Sequence, residues 1–402
     1  MVAKIIPSTL CGKIIAPPSK SMAHRYIICA SLAKGVSRID NIAYSDDIKA
    51  TLDCVEALGA RIEKGDSFVI IDGTDTLKNA PSKTLCTSES GSTLRFMIPL
   101  ALLCDERVEF CGKERLFARP LGVYEDIAQK YGFEFVKKAD GLCVSGKLQS
   151  GNYHICENKS SQFITGLLFA LPLVFGDSEI ILADYPESKS YIDMTIKAMR
   201  DFGVEAEYDG DRSFKISGNQ SYGARNLTVE GDCSNAAFFE ALNLMGGNVL
   251  LTGISPDTLQ GDAVYPDYFE KIKKGYPTLD ITNCPDLAPI LLALMAEYGG
   301  GKLTGTKRLK FKESDRGEVM KKELSKFGAK ITCLENEITV ENTKLHPPIE
   351  TVYSNSDHRV VMSAAVLMTK YGGEIDGCEA CAKSMPDFFE RLAMLGGNIK
   401  IQ

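Results

Sequence analysis

Two acidic residues stand where proton transfer would need them. Asp286 lies in "NCPDLAP", just before an apolar run, and Glu313 lies in "FKESDR" between Lys312 and Arg316. A carboxylate among cations stays ionised and can act as a base, and burial can tune one towards acid duty. Clusters of small residues and cations recur along the chain. "APPSKSMAHR" (16–25) supplies Lys20, Ser21 and Arg25 after two prolines that stiffen the approach. Proline suits the first helical position and serine the cap, so this cluster falls at a helix N-terminus, whose free N–H groups attract anions. "SESGSTLR" (88–95) places a Ser/Gly loop, with Arg95, before the apolar helix "FMIPLALLC". "ERLFARP" (114–120) gives Arg119, and "KSSQF" (159–163) puts Ser160, Ser161 and Gln162 at the head of an apolar helix starting near Ile164. "SDHRVVM" (356–362) opens a helix with His358 and Arg359, and "AKSMPDFF" (382–389) gives Lys383 and Ser384. Each cluster alone reads as a capped surface turn. Their recurrence at element starts in an acidic protein concentrates scarce cations, and points to a small ligand carrying several negative groups.

Composition removes other classes. The 402 residues carry a net charge of −7, so no basic surplus exists to neutralise nucleic-acid phosphates. No apolar run reaches membrane-spanning length, and the N-terminus lacks a signal-peptide core. Thirteen scattered cysteines suit reduced thiols in a cytosol, and the lone CxxC, Cys378 to Cys381, reads as two core-lining thiols. The four histidines, at 24, 154, 346 and 358, never pair at ligand spacing, so no metal site is expected. There is no GxSxG, Ser-His-Asp order or P-loop. The residues themselves therefore read as acid–base chemistry on a small polyanion.

The elements that must position these groups repeat. Glycines 59, 132, 203, 275, 328 and 396 each take second place in a similar pentapeptide, from "LGARI" to "LGGNI". Strand-like stretches ending at 41, 112, 184, 253, 305 and 377 follow the same rhythm, and both series shorten between their fourth and fifth members. Six diverged copies of one unit are expected, the later ones trimmed. "SDDIKATLDCVEALG" has an Asp-capped start and helical spacing at 48, 52, 55 and 58, and "ARIEKGDSFVIIDG" reads as strand, turn, strand. "SQFITGLLFALPLVFG" and "DLAPILLALMAEYGG" are apolar on nearly every face and read as buried helices. The expected fold class is α/β (α+β), two pseudo-threefold domains of three units each, with buried helices and outer sheets.

Taken in order, "PPSKSMAHR", "SGSTLR", "ARP", "SSQF", "SKSYID", "CPDLAP", "KESDR", "DHRVVM" and "AKSMPDFF" resemble the 5-enolpyruvylshikimate-3-phosphate synthases over essentially the whole chain. The resemblance implies six βαβαββ-type units. It implies domains at 18–228 and at 1–17 plus 229–402, crossings near Ala16–Lys20 and Thr228–Asp232, and a site in the cleft between them. The implied reaction joins the enolpyruvyl group of phosphoenolpyruvate to the 5-hydroxyl of shikimate 3-phosphate through a tetrahedral intermediate, releasing phosphate. It implies a cytoplasmic monomer with no metal or cofactor and no nucleic-acid or membrane partner.

By the same resemblance Ser21 and Arg25 hold shikimate 3-phosphate, Arg25 at its carboxylate, and Ser160, Ser161 and Ser188 hold its phosphate near Tyr191. Gln162 lies between the substrates. Lys20, Arg316 and Arg359 clamp the phosphoenolpyruvate carboxylate, and Gly91, Arg119 and Lys383 its phosphate. Asp286, with Lys312 close by, takes the hydroxyl proton, Glu313 handles the proton at the vinyl carbon, and Lys20 assists at the leaving phosphate. Pro18, Glu89 and Ser92 depart from the family's usual Gly, Asn and Thr. A carboxylate at 89 repels a phosphate unless it points away or pairs with a cation; an inactive homologue has that change as its only support. The sister family acting on UDP-N-acetylglucosamine has Lys-Asn in place of Lys20-Ser21, a reactive Cys in place of Glu114, and no Ser-Ser-Gln triplet. A non-catalytic ring of repeats leaves Asp286 and Glu313 among cations unexplained.

Overall fold

A computed structural model describes residues 1–78, 82–104, 106–155 and 160–402; Lys159 of the "KSSQF" motif and Cys156 lie outside them. The chain divides into two compact units, Met1–Pro17 with Gly231–Gln402, and Pro18–Glu230. Each has its own apolar core. The two passages of the chain from one unit to the other are bonded side by side. Asp232 N–H donates to the Pro17 carbonyl (2.7 Å), and Ser19 N–H to that of Glu230 (2.8 Å).

One local order recurs. An edge strand leads into a buried helix, then a strand parallel to the first, an amphipathic helix, a glycine, and an antiparallel hairpin. In the unit Pro18–Glu230 the edge strand Thr84–Ser88 is followed by the helix Gly91–Ala101 and the strand Val108–Gly112. The helix Gly122–Tyr131 and the hairpin Glu134–Lys137/Gly141–Ser145 complete that copy. Among the described residues five four-stranded sheets share this arrangement, and a sixth is the parallel pair Cys11–Ile15/Asn248–Thr252. The six marker glycines all have positive φ, from 73° to 107°, as the chain turns from helix to strand. That backbone favours glycine, which is why the marker survives where its neighbours have diverged.

The shared irregularity in the two series has a structural cause. After Asn248–Thr252 and the helix Tyr265–Lys273 the chain passes directly to the edge strand Thr278–Asp280, with no intervening hairpin. Only this fourth copy is trimmed in that way. The fifth keeps its hairpin, Ile331–Cys333/Glu337–Val340. The sixth is completed by the N-terminal strand Val2–Ile6, which pairs with both Gly373–Asp376 and Asn398–Ile401.

Burial follows residue type. Ala288–Glu297 is apolar at almost every position and is buried from Ala288 to Ala296, against the helices Cys233–Leu244, Arg316–Ser325 and His358–Tyr371. Within the unit Pro18–Glu230, Gly91–Ala101 packs against Ser161–Ala170. Strands such as Phe68–Asp72 alternate buried and half-buried residues, the period of a one-sided sheet.

Several boundaries differ from the sequence reading. The helix expected from Phe96 begins at Gly91 and the one expected near Ile164 begins at Ser161, because Ser90 and Ser160 cap them. Ser45, rather than an Asp, precedes Asp46–Ala57; Asp46 and Asp47 lie in its first turn, where negative charge favours a helix start. Cys378 and Cys381 are buried free thiols, as expected. The expectation of reduced thiols fails at one pair: Cys86 and Cys111, opposite each other on neighbouring parallel strands, form a disulfide. No described helix is long and apolar enough to cross a membrane.

Candidate active site

Many of the sequence-derived residues lie where an edge strand meets a buried helix, and Ser188, Tyr191 and Arg316 lie at the starts of other helices. In the unit Pro18–Glu230 three such junctions carry serine caps: Ser19, Ser90 and Ser160 accept from the backbone N–H of Met22, Thr93 and Gln162. The first N–H groups of a helix have no carbonyl partner within it, the backbone arrangement that binds anions.

Side chains tie these helix starts together. His24 Nδ1 bonds to Thr51 Oγ1 (2.7 Å), Thr51 Oγ1 to Thr93 Oγ1 (2.7 Å), and the Thr93 hydroxyl donates to Ser90 Oγ (2.7 Å). Gln162 donates to Ser92 Oγ (2.8 Å) and accepts from Arg95 Nη1 (3.0 Å). Arg25, 3% exposed, donates to Thr195 Oγ1 (2.9 Å) and to the Tyr191 and Ser21 carbonyls (2.7 and 2.6 Å). Burial lowers the Arg25 pKa to about 10, against the pull of Tyr191, so the group is still a cation at neutral pH. Ser188, buried in a left-handed backbone conformation, starts the helix Lys189–Asp201, which carries Tyr191. Lys20, the first residue of the helix Lys20–Leu32, is ion-paired to Asp47 at 2.7 Å. At Gly91 a Cβ atom would stand 2.9 Å from Arg119 Nη1 and 3.0 Å from Arg95 Nη1. The bare glycine lets two guanidinium ends lie against a helix start.

The unit containing residues 231–402 holds the carboxylates. Asp286 precedes the helix Ala288–Glu297. Its Oδ1 accepts from Lys312 Nζ (3.0 Å) and Arg316 Nη1 (2.7 Å), and its Oδ2 from Arg359 Nη2 (3.0 Å). Arg316, 1% exposed, also reaches Glu313 Oε2 (2.6 Å) and Asp357 Oδ2 (2.9 Å). Asp357 caps the helix His358–Tyr371, accepting from the Arg359 N–H (3.0 Å) and the Ser314 hydroxyl (3.0 Å). Lys383, 7% exposed, ends the short helical segment Cys378–Lys383, which packs on that same helix.

The charges set one another. Burial alone would raise the Asp286 pKa, but Arg359, Lys312 and Arg316 hold it well below the usual carboxylate range. Burial lowers the Lys312 pKa, with help from Arg316 and Arg308. Asp262, 4% exposed and bonded by the Ser234 hydroxyl (2.6 Å), is pushed up to about 7, by burial first and by Asp286 second.

The sequence reading missed residues that hold the others, Asp47 on Lys20, Asp357 on Arg316 and Asp262 beside Asp286, and it singled out Arg95 without its bond to Gln162. Asp357 carried a legible signal, an acidic residue just before an apolar helix, but its partner lies 41 positions away.

These helix starts and this repeated sheet arrangement define a known class of two-unit α/β protein. Two solved structures, both of EPSP synthase from Acinetobacter baumannii, share the fold at TM-scores of 0.79 and 0.78, each at 22% identity and full coverage of both chains. Named relatives are more similar in sequence. The 3-phosphoshikimate 1-carboxyvinyltransferases of Clostridium novyi and Clostridioides difficile are 41% and 39% identical, each alignment covering 98% of both chains. The model of the EPSP synthase (3-phosphoshikimate 1-carboxyvinyltransferase) family matches residues 5–392, and the chain belongs to that family.

Proposed function

We propose that this protein transfers the enolpyruvyl group of phosphoenolpyruvate to the 5-hydroxyl of shikimate 3-phosphate, releasing phosphate. The observation that carries this reading is Asp286 and Glu313, two carboxylates held in one network with Lys312, Arg316 and Arg359. Such a network supplies both a proton acceptor and planar seats for a substrate carboxylate.

In the proposed path the 5-hydroxyl oxygen bonds to the phosphoenolpyruvate carbon that bears the phosphate. The vinyl carbon takes up a proton and becomes a methyl group. The tetrahedral intermediate then loses a methyl proton and its phosphate, and the double bond re-forms in the product. Asp286 takes the hydroxyl proton, Glu313 exchanges the proton at the vinyl carbon, and Lys20 assists the departing phosphate. Three cations make Asp286 a weak base. A substrate carboxylate that engages Arg316 and Arg359 draws their donors away and raises Asp286 basicity as the hydroxyl arrives.

Ser21, Arg25, Ser160, Ser161, Gln162, Ser188, Tyr191 and Lys312 bind shikimate 3-phosphate in this reading. Lys20, Gly91, Arg119, Gln162, Arg316, Arg359 and Lys383 bind phosphoenolpyruvate. Both units then serve one pair of substrates, and the protein acts as a monomer in the cytoplasm. The test is phosphate release with each substrate omitted in turn, and with UDP-N-acetylglucosamine replacing shikimate 3-phosphate. Release that requires shikimate 3-phosphate and phosphoenolpyruvate together is expected. Asp286→Asn should slow it at least about a hundredfold, the usual scale of a lost acid–base group. Release with UDP-N-acetylglucosamine alone as acceptor, or undiminished activity of folded Asp286→Asn, overturns the reading.

A further inference from the structure

The turn that delivers Asp357 and Arg359 runs through strained backbone. Asn355 and Ser356 lie between the strand Val352–Tyr353 and the helix His358–Tyr371, and both have positive φ, 50° and 58°. Left-handed backbone is uncommon outside glycine, and two such residues in a row persist only where their surroundings hold them. Within the turn the Ser356 N–H donates to Ser354 Oγ (3.2 Å), and the Asp357 N–H to the Ser354 carbonyl (3.0 Å).

The neighbouring helix Arg316–Ser325 grips that turn at two points. Positions 316 and 323 are two helical turns apart, so their side chains lie on one face. Arg316 Nε donates to Asp357 Oδ2 (2.9 Å). Glu323 takes the other end of the turn. Its Oε2 accepts from the Tyr353 N–H (2.9 Å), and its Oε1 from Asn355 Nδ2 (3.3 Å). The Asn355 amide donates as well to the Tyr353 carbonyl (2.9 Å). Glu323 therefore bonds both to the backbone just before the left-handed pair and to its first member. The Glu323 carboxylate also pairs with Lys326 Nζ at 2.6 Å, and these side chains are 2% and 7% exposed. Lys326 donates in addition to the Thr351 carbonyl (2.7 Å). A buried ion pair is often no more stable than well-packed apolar residues in its place. What an apolar pair cannot supply is the two acceptors for the turn.

We propose that Glu323 is a positioning residue for the active site: it holds the turn from Tyr353 to Ser356 so that Asp357 fixes the Arg316 guanidinium and Arg359 starts its helix in place. This rests on the assignment of Arg316 and Arg359 to the carboxylate of phosphoenolpyruvate. Glu323 touches neither substrate in that scheme and acts only through the turn.

The test is a cycle of Glu323→Met, Lys326→Met and the double variant, read by phosphate release and by thermal melting. Each single variant strands a buried charge, so both should melt lower. The double variant removes both charges and should melt within about 3 °C of the wild type. Affinity should follow a different pattern. The phosphoenolpyruvate KM should rise about tenfold in Glu323→Met and stay raised in the double variant, the scale on which a misplaced clamp acts from a distance. In Lys326→Met, where Glu323 still holds the turn, it should stay within about twofold of the wild type, as should the shikimate 3-phosphate KM in all three variants. A merely structural pair would make KM follow the melting temperature. A wild-type phosphoenolpyruvate KM in the folded double variant, or an equal rise in Lys326→Met, overturns the proposal. If the double variant does not fold, Asn355→Gly decides. It keeps the left-handed backbone, loses the amide that meets Glu323, and should raise the phosphoenolpyruvate KM at least about threefold; an unchanged KM refutes the proposal. If the wild type releases no phosphate with both substrates, the reaction assignment fails. Deuterium exchange at the amides of residues 354–360 then decides the positioning role separately. Faster exchange in the double variant than in the wild type supports it, and equal exchange refutes it.

Discussion

Replacing Arg316 by Met removes the cation that most of the buried network shares. The side chain is 1% exposed and bonds to three carboxylates, Asp286, Glu313 and Asp357, at 2.6 to 2.9 Å. In the intact network Lys312, Arg316 and Arg359 balance those three acids. Without Arg316, Asp286 keeps Lys312 and Arg359, and Glu313 is 15% exposed and can draw on water. Asp357 suffers most. It is fully buried and keeps only the Ser314 hydroxyl and the Arg359 backbone N–H among the bonds described above. Removing one partner of a buried ion pair costs about 3–5 kcal/mol. For a unit of roughly 190 residues that is a fall in Tm of about 6–20 °C. The chain has no tryptophan, so circular dichroism is the suitable monitor of melting. If the loss comes from the stranded charge, adding Asp357→Asn to Arg316→Met should restore at least half of it. A drop of less than about 2 °C in Arg316→Met refutes the assignment of that magnitude. A double variant as unstable as the single one assigns the loss to packing.

Acid should weaken the protein partly through His24. Burial, aided by Lys20 and Arg25 and opposed by Asp47, lowers its pKa to about 3 from 6.5. The unfolded chain therefore takes up a proton that the folded one refuses. Its contribution to stability is complete above pH 6.5 and falls away as pH drops towards 3, by up to about 1.4 kcal/mol per pH unit. His24→Gln should flatten the dependence of unfolding free energy on pH between 4 and 6, read by urea unfolding; an unchanged slope would show that His24 is not the group responsible. Gly91→Ala should raise the phosphoenolpyruvate KM without lowering Tm. The close contacts of its Cβ are the ends of two arginine side chains, which can shift and carry their charges with them, and Leu116 lies at ordinary contact distance. An unchanged KM would remove Gly91 from the phosphate seat.

The helix start at Ser19 was legible because a cap is a local signal: a serine, its neighbours and the first turn decide it. The buried helices were legible from unbroken apolarity, and the repeat from glycines whose positive φ few other residues tolerate. Two local readings still missed. Gly91 and Ser161 joined their helices because the cap lies further upstream than the apolar run suggests. The disulfide was missed because Cys86 and Cys111 are 25 positions apart and meet only when two strands pair.

The sequence by itself determined which charged residues stand out as candidates. Asp286, Glu313, Arg316 and Arg359 stand out by type, spacing and position at element starts, all properties of short stretches. Only the tertiary structure decided what each residue faces. Lys20 is held by Asp47, and Arg316 is shared among three acids up to 41 positions away. Glu89 pairs with Lys113 at the next strand's exit. Ionisation and affinity depend on those partners, because electrostatic energy follows distance in space and burial, and neither is written in the order of the residues.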